Sequence, residues 1–90
     1  MPRIVHGTLV AATVTTVTLD SDHNSVEVMN RSGSAEIFFT VDGTNPTVGG
    51  NDCDVLPAAI NSIEAPAFKK GATVVKLISS GTPTFSVRGL

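Results

Sequence analysis

Ala35-Glu36-Ile37-Phe38-Phe39-Thr40-Val41-Asp42 is the clearest strand in the chain and decides its fold class. A period of two sends Ile37, Phe39 and Val41 to one side, and Glu36, Thr40 and Asp42 to the other, as a strand half-buried in a sheet requires. Phe38 breaks the polar series on the second side. The stretch that follows, from Gly43 through Asn45-Pro46 to Gly49-Gly50-Asn51-Asp52, is too dense in turn residues to continue the strand and predicts a long loop.

Working outward, similar segments recur about every ten residues, separated by clusters of Gly, Asn, Asp, Ser and Pro. Upstream lie Arg3–Val10, then Thr13–Asp20 with Thr15, Val17 and Leu19 on one face, then Ser25–Asn30 with Val26 and Val28 opposite Glu27 and Met29. Downstream, a short strand is expected at Asp54–Leu56. Ser62–Phe68 reads as an edge or bulge because of Pro66, and Ala58-Ala59-Ile60 as a helical turn or an extended link. Ala72–Ser79 follows, and Gly81-Thr82-Pro83 is read as closing a hairpin into Thr84–Gly89. Seven or eight strands in 90 residues, with no internal repeat or linker, predict one all-β domain spanning residues 1–90, an immunoglobulin-like antiparallel sandwich.

The composition agrees. Eleven Thr, twelve Val and five Ile make β-branched residues the largest group, and such side chains fit a pleated surface better than a helix. The formal net charge is −2, basic residues are scattered apart from Lys69-Lys70, and there is no Trp or Tyr to stack on bases, so nucleic-acid binding is not expected. No apolar run approaches the eighteen residues of a membrane helix, and residues 1–20 do not read as a signal peptide. One cysteine, Cys53, forms no internal disulfide and points to a reducing compartment.

Catalytic chemistry needs a nucleophile, a base and an orienting group. His6 falls in a strand and His23 in a turn, neither in a motif context, and there is no nucleophile elbow, phosphate loop or Cys-x-x-Cys. Cys53, between Asp52 and Asp54, has no basic neighbour in sequence to activate it. No cofactor is expected. Asp42, Asn45, Asn51, Asp52 and Asp54 would supply oxygen ligands of the kind calcium takes, but without the spacing of a dedicated metal loop, and Asx turn capping is the favoured account of them. Asn30-Arg31-Ser32 fits the glycosylation triplet, which matters only in a secretory compartment.

The more informative feature is apolar side chains on the outward parity of their strands: Phe38, Met29 opposite Val26 and Val28, and Val74 and Ile78 flanking Lys76. If several of these meet on one face they make a partner interface, with Phe38 as its anchor; if the sandwich wraps around them they are core.

Two resemblances add to this reading. Ile37-Phe38-Phe39-Thr40-Val41-Asp42-Gly43-Thr44-Asn45-Pro46-Thr47 resembles the strand and turn of the small sandwich domains appended to chitobiase-type glycosidases, where the glycine takes the turn and the proline stiffens its exit. It implies a sandwich, not an activity. More broadly, Val26–Asn30 leading into Ala35–Thr47, the Val74-Val75-Lys76-Leu77-Ile78 run and Phe85-Ser86-Val87-Arg88-Gly89-Leu90 resemble minor structural proteins of tailed bacteriophages of actinobacteria. That resemblance implies a non-enzymatic capsid decoration or minor capsid protein, made in the host bacterial cytoplasm and held on the capsid surface by the major capsid protein, with homo-oligomerisation possible in such a setting. A carbohydrate-binding or host-adhesion module, and a tail-tube or connector component, stay open as alternatives.

Overall fold

A computed structural model of the chain describes residues 4–19, 25–32, 35–41, 43–51, 53–58, 62–66 and 73–90. The described residues form eight strands and no helix: β1 (Ile4–Thr8), β2 (Thr15–Thr18), β3 (Ser25–Asn30), β4 (Ile37–Thr40), β5 (Asp54–Leu56), β6 (Ser62–Pro66), β7 (Val74–Ile78) and β8 (Thr84–Gly89). They pair antiparallel in two four-stranded sheets, the first ordered β1-β8-β3-β6 and the second β2-β7-β4-β5. The expected small antiparallel sandwich is therefore present.

Its strand order carries a further feature. β1 pairs with β8, β2 with β7, β3 with β6 and β4 with β5. This is one long antiparallel ribbon, folded at the β4–β5 loop and then rolled, so that β8 lands beside β3 and β7 beside β4. That is the connectivity of a jelly roll, whereas immunoglobulin domains keep strands such as A and B, or F and G, together in one sheet. The immunoglobulin-like expectation holds for the layers and not for the path of the chain.

Rolling also explains why one expected hairpin is missing. Gly81-Thr82-Pro83 does not fold β8 back on β7; it carries the chain from the second sheet to the first. The connection pairs with the β1–β2 connection instead, through Leu9 N–H to Pro83 O at 3.0 Å and Ala12 N–H to Ser79 O at 2.8 Å. Among the consecutive strands, β4 and β5 alone are partners.

The period of two puts the core where alternation predicts. Val26, Val28, Phe85, Val87 and Ala65 from the first sheet meet Val17, Leu19, Val75, Leu77, Ile37, Phe39 and Leu56 from the second, all buried, with Leu9 closing one end. Gly7 lies opposite Phe85 in the β1·β8 register, and a Cβ on Gly7 would fall 2.9 Å from Cε1 and Cζ of the Phe85 ring. The absent side chain is the space the ring occupies. Asn30, also buried, braces the exit of β3 by donating from Nδ2 to Ala35 O at 2.7 Å and accepting at Oδ1 from Ser32 N–H at 3.3 Å.

Candidate interaction surface

Each sheet has one face away from the core. On the first sheet, the register aligns Ile4, Arg88, Glu27 and Glu64 in one outward row and His6, Ser86, Met29 and Ser62 in the next. Arg88 Nη2 bonds Glu27 Oε1 at 2.6 Å in a half-buried pair, and Ser25 Oγ reaches Glu64 Oε2 at 3.4 Å. His6 Nδ1 lies 2.5 Å from Ser86 Oγ. A serine beside a histidine invites comparison with an activated nucleophile, but Ser86 is buried beneath its neighbours while His6 is exposed. The pair acts as a tie from edge strand β1 to β8. Met29 is half-buried within this polar face.

On the second sheet, the outward row Ile78, Phe38, Val55 is apolar across three strands, and the next row holds Lys76 and Thr40. Phe38 is only 9% exposed and Ile78 7%. Part of the β4–β5 loop lies back over this face. Thr40 Oγ1 donates to Thr44 O at 2.5 Å, Lys76 Nζ donates to Asn45 Oδ1 at 3.1 Å, and Pro46 is buried. The loop takes this course through Gly43 at φ +88° and Gly49 at φ +73°, which glycine adopts without strain. A turn closed by Gly50 N–H to Thr47 O at 3.0 Å follows, with Cys53 Sγ tucked against the carbonyls of Thr47 and Gly50 at 3.6 and 3.7 Å. The Asp-Gly-Thr-Asn-Pro-Thr segment is thus structural where it is described, and its Asp42 lies outside the described residues.

The four residues expected to form an interface are therefore not gathered on one surface. Val74, Phe38 and Ile78 share the outer face of the second sheet, with Phe38 and Ile78 buried by the chain itself, and Met29 is on the outer face of the first. Phe38 faces outward by strand parity and is nonetheless buried, because parity says which side a residue faces and not what covers that side. Of the five oxygen-ligand candidates, Asp42 and Asp52 lie outside the described residues, as does His23. Asn45 is bonded to an ammonium group, and Asn51 and Asp54 are exposed. Among the described residues no three His, Cys, Asp or Glu side chains cluster as a metal site would, and no helix is long and apolar enough to cross a membrane.

No known family, curated protein or solved structure matches this chain. Its functional surface has to be read from its own geometry.

Among the described residues, the large apolar side chains left open are Val10 at 61%, Leu90 at 48%, Val48 at 45% and Val55 at 39%. Val10 begins the turn to Thr13, closed by Thr13 N–H to Val10 O at 3.1 Å, in which Ala12 sits at φ +57°. Val48 is in the Thr47–Gly50 turn, and Val55 follows two residues after the cysteine that anchors that turn. Val48 escaped the sequence reading because it lies in a turn, where periodicity carries no signal, and Val10 because it was read as the end of the Arg3–Val10 strand, which stops at Thr8. The signal available was composition: Val10-Ala11-Ala12 puts three apolar residues where Gly, Asn or Asp is usual.

Proposed function

We propose that this domain is a non-enzymatic structural protein of a tailed-phage virion, a capsid decoration or minor capsid protein that binds the major capsid protein at the capsid surface. The observation that carries the reading is the location of its exposed apolar side chains. On this reading Val10 and Val48, open apolar side chains in two turns, are its contacts with the shell. Domains of this connectivity occur in viral capsids, lectins and cupins, and the sequence resemblance favours the first of these.

Sugar binding is the less supported alternative. Flat aromatic platforms are its usual requirement, and Phe38, Phe39 and Phe85 are all buried. The test is copurification with intact particles. A fixed copy number per capsid, and density for the domain on the shell, are the expected results; absence from purified virions overturns the proposal. A Val10→Ser, Val48→Ser double variant should keep its melting temperature and lose occupancy on the capsid.

A further inference from the structure

The two sheets have four edge strands, β1 and β6 in the first and β2 and β5 in the second. An unguarded edge is a template for another strand, and folded proteins normally blunt it with charge, proline or brevity. Two of the four edges are blunted in this way. β6 carries Glu64 at its centre and Pro66 at its end, and β5 is three residues long and begins with an exposed Asp54. β1 has neither defence: Ile4-Val5-His6-Gly7-Thr8 contains no proline and no carboxylate, lysine or arginine, and is paired on one side along its whole length by β8.

β1 is also complementary to itself. A two-fold axis normal to the sheet at His6 pairs Ile4 with Thr8 of the copy, Val5 with Gly7, and His6 with His6. Every pair then keeps its face, since the paired numbers share parity. On the core side, this sets Val5, half-buried and packed against the core from one side, opposite the glycine whose side-chain space is filled by the Phe85 ring. A branched side chain thereby meets an aromatic surface across the axis, a favourable cross-strand pairing. On the outer side, Ile4 meets Thr8 and no like charges are opposed. The same operation on β6 would set Glu64 against its own copy beside Glu27, a repulsive arrangement. On β2, whose residues Thr15–Thr18 are also uncharged, keeping the faces matched leaves only three paired rows against five on β1.

We propose that two copies of this chain associate through β1, antiparallel about His6, to form a continuous eight-stranded sheet in the order β6-β3-β8-β1-β1-β8-β3-β6. The interface is isologous, so it closes at two copies. Main-chain hydrogen bonds supply its affinity. Five residues a side make a small interface, of the weak and transient class. The inference does not depend on the virion reading: the dimer is a property of the isolated chain.

Sedimentation velocity on the full chain from about 1 to 200 μM tests it. The expected result is a concentration-dependent species of twice the 9.3 kDa chain mass. His6→Lys and His6→Glu should each weaken it at least tenfold by opposing like charges at the axis, and an equimolar mixture of the two should restore it as a mixed dimer. A chain monomeric throughout overturns the proposal, as do variants that dimerise like the wild type, or folded variants whose mixture stays monomeric. If a variant fails to fold by circular dichroism, amide exchange on the wild type decides. β1 amides should gain protection as concentration rises, and exchange independent of concentration refutes the interface.

Discussion

Ser79→Ala is the substitution from which the structure predicts most, because one buried residue joins three connections, two of them through its hydroxyl. Ser79 is fully buried. Its Oγ donates to Glu36 O at 2.6 Å, at the entrance to β4, and accepts Gly81 N–H at 3.2 Å in the β7–β8 connection. Its own carbonyl receives Ala12 N–H from the β1–β2 connection. Alanine keeps the carbonyl bond and loses both hydroxyl bonds. At about 1 kcal/mol for each intramolecular bond, the loss is about 2 kcal/mol. For a domain of this size each 1 kcal/mol moves the melting temperature by about 4–8 °C, so the expected fall is about 10 °C. Thermal melts followed by circular dichroism measure it, and urea titration should show a lower midpoint with an unchanged slope. Ser80→Ala is the control: the neighbouring residue is exposed and should change stability by no more than about 0.5 kcal/mol. If the two variants melt within about 2 °C of each other, the hydroxyl is not the brace inferred here.

Three other outcomes follow from particular contacts. Gly7→Ala should destabilise by about 1–3 kcal/mol in denaturant titration, since its methyl meets the ring of a buried Phe85 at 2.9 Å; a neutral result would mean the ring moves freely. Ala12 sits at φ +57°, where an L residue is strained by about 1–2 kcal/mol. Ala12→Gly should therefore hold or slightly raise the melting temperature, and Ala12→Val should lower it by several degrees. Glu27 and Glu64 are directly opposed on β3 and β6, so Glu64→Lys should stabilise by about 0.5 kcal/mol. That gain should shrink in high salt, and a salt-independent gain would show that charge is not its origin.

Period-two alternation was enough to place strands at all eight positions, and to assign the inward residues. Ser25–Asn30, Asp54–Leu56 and Thr84–Gly89 have the expected bounds, and the other strands lie inside theirs. The side given to Ile37 and Phe39, and to Val26 and Val28, agrees with their burial, because alternation is local and each strand carries its own record of it. Two features are not local. Strand order depends on pairings such as Ile4 with Arg88, about which neither segment alone is informative, and the adjacent Val74–Ile78 and Thr84–Gly89 runs looked like a hairpin for that reason. The burial of Phe38 depends on what lies over the outer face, where the bond from Lys76 to Asn45 brings the β4–β5 loop back over the neighbouring row. Of the two readings the sequence left open for Phe38 and Ile78, interface or core, their burial matches the second.

The position of β8 has a consequence for how the chain reaches this structure. β8 lies between β1 and β3, so the eighth strand made is the one on which the first and third must both pair. While it is still on the ribosome, β1 has no partner and the β3·β6 pair lacks its other neighbour; the β4–β5 hairpin is what can form early. Closing contacts such as His6 to Ser86, eighty residues apart, requires most of the loop entropy to be overcome before those contacts contribute. Folding should accordingly be slow for so short a chain, on the order of milliseconds to seconds. Until β8 inserts, the open edges of β1 and β3 are the places where a nascent copy is most exposed to pairing with the wrong strand.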